Sequence, residues 1–125
     1  MWVQYNPNPT GRLVGDCSIR AVAKALNLDW DTTYDMVSHN AKLMGDMPSS
    51  DSVWGAVLRQ NGFNKVAVPN TCPDCYTAED FCKDNPHGVF VLGFGGHTAT
   101  VINGNLYDSW NSSNLIPIYY WFRKE

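Results

Sequence analysis

The chain has 125 residues, which suffice for one hydrophobic core but not for two. Its 44% hydrophobic and 17% charged residues are typical of a folded globular protein and exclude an intrinsically disordered one. A formal net charge of -3 argues against nucleic acid as a partner, because phosphate backbones are bound by clustered basic side chains. We therefore expect a single domain over residues 1–125.

The apolar pattern predicts neither an export signal nor a membrane span. The N-terminal segment has no basic start followed by an apolar run, and no stretch of about eighteen apolar residues occurs in the sequence. Four cysteines without an export signal are more often free thiols, metal ligands or a nucleophile than a disulfide framework. These features predict a cytoplasmic protein with no membrane partner.

The first half of the chain predicts helices that follow an irregular, turn-rich segment over residues 5–15. Asp16 is a typical N-cap, and a helix from about 17 to 27 is favoured by four apolar residues at helical spacing, namely Ile19, Val22, Ala23 and Leu26. Cys17 would then lie in the first turn of this helix.

Two further helices are predicted before residue 63. One begins at Asp29 or Asp31 and ends near Leu43, and its inward residues are Trp30, Tyr34, Val37 and Ala41. The other covers residues 51–62 and ends at Gly62, and its inward residues are Val53, Trp54, Val57 and Leu58.

The second half of the chain changes to the two-residue period of strands. Residues 65–69 alternate as a short strand, and residues 77–85 begin with a capping pattern from Thr77 to Asp80 that is typical of a short helix. Four β-branched and aromatic runs follow, over residues 87–94, 97–104, 105–110 and 116–124. They predict an antiparallel meander of three or four strands. The expected fold class is therefore α+β, with N-terminal helices packed on a C-terminal antiparallel sheet.

Cys17 is the candidate nucleophile. The free amides and the positive end of the helix dipole at a helix start favour the thiolate form of a cysteine. The neighbouring carboxylate of Asp16 would raise the pKa of the thiol unless a cation outweighs it, and Arg20, one turn on, is placed to neutralise Asp16. Position alone leaves open the alternative that Cys17 is a small buried core residue.

His97 and Asp108 are the candidate partners of Cys17. His97 opens a strand directly after a glycine turn that leaves room beside its ring. The chain then turns at residues 103–105 and returns to Asp108, so a hairpin would bring the two side chains together and let the carboxylate orient the imidazole. The alternatives are a strand-edge histidine satisfied by the backbone and a turn-forming aspartate.

Three short segments together resemble the papain-like cysteine peptidases. They are Gly15-Asp16-Cys17 at a helix start, Gly96-His97 at the start of a strand, and Tyr107-Asp108-Ser109-Trp110 at the end of the next. The chain is also similar to small papain-like proteins carried by bacterial prophages. The resemblance implies a minimal papain-like domain in which Cys17 is the nucleophile and His97 the general acid and base. It also implies that Asp108 orients the imidazole in place of the family's asparagine, and that Trp110 shields that bond from water.

The resemblance does not assign the oxyanion hole, because Gly11 stands six positions before Cys17, where the family has glutamine. We expect the backbone amide of Cys17 to be one donor. A second donor would come from a side chain of the lead-in segment, Gln4, Asn6 or Asn8, of which Asn6 is favoured. The asparagines also have an ordinary interpretation as Asn-Pro turn formers.

A group of potential metal ligands, separate from Cys17, His97 and Asp108, lies in the second half of the chain. Cys72 and Cys75 form a C-x-x-C pair, and Cys82 and His87 follow, so that four candidates fall within sixteen positions. Zinc is the metal that such a set would bind. Against zinc, the pair lacks a matching second pair, and Cys82 falls inside a predicted helix where it can pack in the core. We favour packing thiols and predict no cofactor.

The residues together predict a thiol hydrolase that cleaves a peptide or isopeptide bond of a protein or peptide substrate through a thioester. Transglutaminase-like transfer and amidase action use the same three side chains and remain alternatives. Two non-enzymatic classes also remain open. One is a protein-interaction or inhibitory module of a mobile element on the same fold, and the other is a zinc-stabilised binding domain over residues 72–87.

Overall fold

The computed structural model describes residues 1–123, and within this range the chain forms four helices and a six-stranded sheet, which confirms the α+β class. The helices are α1 (Cys17–Leu26), α2 (Trp30–Met44), α3 (Asp51–Gln60) and α4 (Ala78–Asp84). The strands are β1 (Trp2–Gln4), β2 (Phe63–Ala67), β3 (Val89–Phe94), β4 (His97–Ile102), β5 (Asn105–Asp108) and β6 (Tyr119–Arg123). Lys124, the last residue of the strand predicted over 116–124, lies outside the described residues.

The helices begin close to the residues that the capping signals indicate. The carboxylate of Asp29 accepts a hydrogen bond from the amide of Thr32 at 2.8 Å and starts α2. A capping box between Thr77 and Asp80 starts α4, as predicted. Asp16 precedes α1, but its side chain makes no capping bond and binds other side chains instead. No helix within residues 1–123 is both long and apolar enough to cross a membrane.

The inward faces of two helices can be compared with the sequence pattern. All four inward residues predicted for α3 are buried. In α2 the prediction was wrong at Tyr34, which is 45% exposed and stacks on the ring of Trp30 at 5.0 Å. Thr33 is buried instead, because its hydroxyl donates to the carbonyl of Asp29 at 2.7 Å and so keeps its polar atom satisfied.

The strand order in the sheet is β1-β5-β4-β3-β6-β2. β3, β4 and β5 form the predicted antiparallel meander. The sequence did not decide whether a fourth strand continues the meander. The last strand, β6, does not continue it but pairs with the other edge of β3. This position suits β6 because the ring of Tyr119 lies over Gly93, where an added Cβ would be 2.0 Å from the ring. β2 pairs with β6 and begins at Phe63, two residues earlier than predicted.

β1 was not expected from the sequence, and it makes the sheet mixed rather than purely antiparallel. It pairs in parallel with β5, with Gln4 opposite Asp108. A strand of three residues is too short to show a two-residue period. The segment holds the backbone of Asp108, whose carbonyl accepts from the amide of Tyr5 at 2.8 Å and from Nε1 of Trp2 at 3.2 Å.

Two hydrophobic clusters share the sheet. Successive residues of a strand point to opposite faces, and accordingly Val91 belongs to one cluster and Leu92 to the other. The cluster with Val91 contains buried side chains of α1, α2 and α3, whereas the cluster with Leu92 contains those of α4. α1 also bonds to β4 directly, because the hydroxyl of Thr100 donates to the carbonyl of Ala21 at 2.6 Å. This bond holds the helix that carries Cys17 against the strand that carries His97.

Two of the cysteines depart from the expectation of free thiols, metal ligands or a nucleophile rather than disulfides. Cys72 and Cys75 form a disulfide. The C-x-x-C segment forms a turn, which brings its two ends together. Cys17 and Cys82 are free.

Candidate active site

Cys17 is the first residue of α1, and it lines two cavities while its side chain is half-buried. One cavity has a volume of about 280 Å³ and includes Trp54 and Phe94 in its wall. The other has a volume of about 360 Å³ and includes Trp110. His97 borders both cavities, so the sulfur and the imidazole open onto the same cleft.

His97 and Asp108 are joined by a hydrogen bond of 2.6 Å between Nε2 and Oδ2. The hairpin that brings them together turns at Asn103 and Gly104, with φ angles of 50° and 78°. Its register, continued to the end of β5, puts Asp108 opposite Ala99, two residues beyond His97 and on the same face of the sheet. The bond is therefore diagonal across two strands, a separation that an imidazole and a carboxylate can span.

Asp108 is 1% exposed, and both of its carboxylate oxygens have two donors. Oδ2 accepts from His97 and from the hydroxyl of Ser112, the latter at 2.5 Å. Oδ1 accepts from the amide of Ser109 at 2.8 Å and from Nη2 of Arg20 at 3.1 Å. Four donors on one buried carboxylate fix its orientation.

The pKa of the Asp108 carboxyl lies below its ordinary value. Burial is the largest single influence and raises this pKa, but hydrogen bonds from His97, Ser112 and the Ser109 amide, with the charge of His97, outweigh it. Asp108 is therefore an anion at neutral pH and can stabilise a protonated imidazole beside it.

The pKa of His97 is raised from 6.5 to about 9. Burial is the largest influence and favours the neutral ring, but the hydrogen bonds and charges of Asp108 and Cys17 together favour the imidazolium more strongly. Because Asp108 occupies Nε2, Nδ1 is the ring nitrogen available to Cys17. His97 is thus a cation at neutral pH, with Nε2 bound to Asp108.

The pKa of the Cys17 thiol is lowered. Burial is again the largest influence and raises it, whereas the hydrogen bond and charge of His97, a backbone hydrogen bond at Thr98 and the charge of Arg20 lower it. The position of Cys17 at the start of α1 adds the favourable end of the helix dipole. The site can therefore hold a thiolate and an imidazolium as an ion pair, which is the form of an activated thiol nucleophile.

Two aromatic rings flank the imidazole of His97. The ring of Phe94 lies nearly parallel to it, at 5.9 Å and 19°. The indole of Trp110 lies at 4.9 Å, tilted by 39°. Trp110 is 47% exposed, so it covers the imidazole while remaining in contact with solvent. That Trp110 shields the bond between His97 and Asp108 stays a prediction.

The side chain of Asn6 does not supply the expected oxyanion donor. Its Nδ2 donates to the carbonyls of Arg12 at 3.2 Å and Gly11 at 3.4 Å, and its Oδ1 accepts from the amide of Asn8. The amide group therefore closes the loop in which it lies. The turn-forming interpretation of Asn6 is the one that the contacts bear out.

Asn8 and Gln4, the other two side-chain candidates for the oxyanion hole, do not line the two cavities at Cys17 either. Asn8 is a turn former, since its Oδ1 accepts from the amide of Thr10 at 3.0 Å. Gln4 lies on β1, opposite Asp108 in register, and is not one of the described residues that line the two cavities at Cys17. The backbone amide of Cys17 is the donor that remains from the sequence expectation.

The alternative zinc site is not formed. Cys72 and Cys75 are joined in a disulfide, so neither sulfur is a thiolate ligand. Cys82 is buried on α4, where burial raises the pKa of its thiol, and His87 lies in an exposed bend. Within residues 1–123, no group of three or more His, Cys, Asp and Glu side chains is placed to hold a metal ion.

Sequence reasoning missed two residues that bond to Asp108. Arg20 was expected to neutralise only Asp16, which it does, but it also reaches Asp108 across 88 positions of sequence. No local pattern encodes that contact. Ser112 follows Asp108 by four residues in a bend rich in Asn and Ser, and its hydroxyl turns back to the carboxylate. No signal in the sequence gives the direction of this bend.

Comparisons with protein-family models, with curated proteins and with solved structures found no match to this chain. The site itself is therefore the basis for assigning a class of function. Its residues are a cysteine at a helix start, a histidine with a raised pKa and a buried carboxylate on the far ring nitrogen.

Proposed function

We propose that the protein is a thiol hydrolase of the papain-like type, in which Cys17 is the nucleophile, His97 the general acid and base, and Asp108 the orienting residue. The observation that carries the proposal is the 2.6 Å bond from His97 to Asp108, on a residue that lines the same two cavities as Cys17. A core cysteine and a histidine satisfied only by the backbone would not account for this set of contacts.

The first step forms a thioester. The thiolate of Cys17 attacks the carbonyl carbon of a peptide or isopeptide bond, and the carbonyl oxygen becomes an oxyanion. The backbone N–H of Cys17 and the start of α1 are placed to stabilise this charge. His97 then gives its Nδ1 proton to the leaving nitrogen, the carbon–nitrogen bond breaks, and an acyl group remains on the sulfur.

The second step releases the acyl group. Neutral His97 takes a proton from a water molecule as the water oxygen bonds to the thioester carbon, and the carbon–sulfur bond breaks. The product leaves as a carboxylic acid, and the protonated ring again pairs with the Cys17 thiolate. Throughout, Asp108 keeps Nε2 as the donor nitrogen of His97.

The cleft favours a protein or peptide as the substrate. The two cavities at Cys17 share Gly15 and Gly96, where backbone rather than a side chain forms the surface. A third cavity, of about 580 Å³, also includes Gly15 and extends the open surface to Trp30. An extended chain lying over Cys17 would find room along these cavities, which share Gly15 in their walls.

We assign this reaction no cofactor. The nucleophile acts only as a reduced thiolate. The disulfide between Cys72 and Cys75 is of a kind that a reducing cytoplasm disfavours, so it does not support the cytoplasmic location predicted from the sequence. Nucleophile, proton carrier and orienting group are all side chains of the chain itself.

Covalent labelling tests the proposal. Cys17 should react with iodoacetamide near neutral pH faster than the other free thiol, Cys82, which is buried and has a raised pKa. Mass spectrometry of digested protein gives both rates. Cys17→Ala should abolish labelling by a thiol-directed peptide probe, whereas the matched control Cys82→Ala should keep it. The proposal fails if Cys17 reacts no faster than the thiol of a short unstructured peptide.

Product analysis distinguishes hydrolysis from acyl transfer. The protein is incubated with a mixture of peptides, with and without an added primary amine, and the products are identified by mass. New C-terminal carboxylates that depend on Cys17 support hydrolysis. Products that carry the amine even at low amine concentration would instead favour transfer, and unchanged peptides under all conditions would favour the interaction module.

A further inference from the structure

Arg20 lies on α1, one turn after Cys17, with its guanidinium between two carboxylates. Nη1 donates to Oδ1 of Asp16, and Nη2 donates to Oδ1 of Asp108 at 3.1 Å. All three side chains are buried: Arg20 is 6% exposed, Asp16 is 7% exposed and Asp108 is 1% exposed. Burying three charges costs much of their hydration energy, and such a group is weak evidence for stability alone. Its contact with the triad points to a role in the site.

We propose that Arg20 is a positioning residue of the catalytic triad: its planar fork holds Oδ1 of Asp108, so that Oδ2 is presented to Nε2 of His97. The other arm of the fork binds Asp16, the residue just before the nucleophile. This inference rests on the proposed function, since the role is to prepare Cys17 for reaction.

The hydrogen bond from Nη1 of Arg20 to Asp16 also has a role at the site. The carboxylate of Asp16 adjoins Cys17 in sequence, and a free negative charge there would oppose a thiolate. Oδ1 is bound by Arg20, and Oδ2 accepts from Nε1 of Trp30 at 2.9 Å. Both oxygens are therefore engaged by donors on α1 and α2. Arg20 thus neutralises the charge of Asp16 beside the sulfur and also orients the carboxylate of Asp108.

The charged and titratable groups near the Cys17 sulfur come from five elements. They are Asp16 and Arg20 at α1, Asp51 at the start of α3, His97 on β4, Asp108 on β5 and Tyr119 on β6. Arg20 and His97 are the two cations of this set. His97 gives up its proton during the reaction, so Arg20 is the permanent positive charge beside the sulfur.

Lysine at position 20 separates charge from geometry. An ammonium keeps one positive charge on one atom, but it lacks the two parallel donors that reach Asp16 and Asp108 at once. Arg20→Lys therefore retains the charge of the site and loses the fork. Because it leaves both carboxylates near a cation, it is also milder than an apolar substitution, which would bury them unpaired.

The first measurement is the rate of Cys17 alkylation by iodoacetamide as a function of pH. The matched control is Arg59→Lys, an exposed position of α3 whose arginine lies over the ring of Trp121. In Arg20→Lys we expect the midpoint of the profile to lie about one pH unit higher, so that the rate at any pH below the midpoint falls about tenfold. Arg59→Lys should follow the unmodified protein. Identical profiles for Arg20→Lys and the unmodified protein would overturn the proposal.

The second measurement follows the ring of His97 itself by NMR titration and needs no reaction. The pKa of about 9 in the unmodified protein should fall towards 6.5 in Arg20→Lys, because a loosely held carboxylate bonds Nε2 less well. An unchanged titration of His97 would reject the positioning role even if Cys17 is reactive. Slow labelling of Cys17 in the unmodified protein, with a titration that still responds to Arg20→Lys, would reject the hydrolase and keep the role of Arg20.

Discussion

Asp108 reaches His97 at 2.6 Å along a diagonal of the sheet, because the register of the hairpin, continued to the end of β5, puts Ala99 rather than His97 opposite it. The carboxylate is held from several directions, because Ser112 shares Oδ2 with the ring and Arg20 reaches Oδ1 from α1. The carboxylate end of the proposed triad is therefore buried, and each of its oxygens has two hydrogen-bond donors. The other end, at Cys17, lines the cleft, where the proposed substrate would approach.

The proposed hydrolase activity should show a bell-shaped dependence on pH. The reaction needs Cys17 as thiolate and His97 as imidazolium. Activity is therefore lost as the pH falls through the lowered pKa of Cys17 and as it rises through the His97 pKa of about 9. The measurement is kcat/KM across this range. In Asp108→Asn the alkaline limb should move to lower pH, because the amide lacks the charge that raises the pKa of His97; a limb that stays in place contradicts this assignment.

Trp110→Ala should slow the reaction at little cost in stability. The indole covers the imidazole of His97 at 4.9 Å, and its loss admits water that competes for the buried hydrogen bond. We expect kcat/KM to fall by about tenfold. The free energy of unfolding should fall by about 1 kcal/mol or less, since the side chain is 47% exposed. Trp110→Phe retains an aromatic ring and serves as the control. Equal activity of all three proteins would argue against a shielding role.

Gly93→Ala should destabilise the fold markedly. An added Cβ would lie 2.0 Å from the ring of Tyr119, so β6 would have to shift on β3. We expect a loss of about 1–3 kcal/mol in the free energy of unfolding, measured by urea titration. Gly95→Ala is the matched control, because its Cβ would have nothing within 4 Å. A similar loss in both variants would contradict the close packing of Tyr119 on Gly93.

Protein prepared without reductant should contain two titratable thiols per chain. The disulfide between Cys72 and Cys75 leaves Cys17 and Cys82 free. Ellman's reagent under denaturing conditions should therefore count two thiols, rising to four after reduction. In the double variant Cys72→Ser/Cys75→Ser the count should be two before and after reduction. Four thiols in the unreduced protein would show that the bond is absent in solution.

Much of the fold and the core of the candidate site could be predicted from local sequence. Helix α1 follows from apolar residues at helical spacing, and its start places Cys17. The hairpin follows from an Asn-Gly turn between two β-branched runs. It brings together His97 and Asp108, which are eleven positions apart in the sequence. These signals are readable because periodicity, caps and turns act over a few neighbouring residues.

Tertiary structure alone decided the contacts that join distant parts of the chain. Among these are the parallel pairing of β1 with β5, the return of β6 to β3, and the bridge from Arg20 to Asp108. No spacing rule predicts such contacts, because they arise when buried polar groups must find partners and side chains must fill the space between elements. The sequence thus determined which residue types meet at the ends of α1 and the hairpin. Packing of the whole chain determined how firmly Asp108 is held, and therefore how His97 is presented to Cys17.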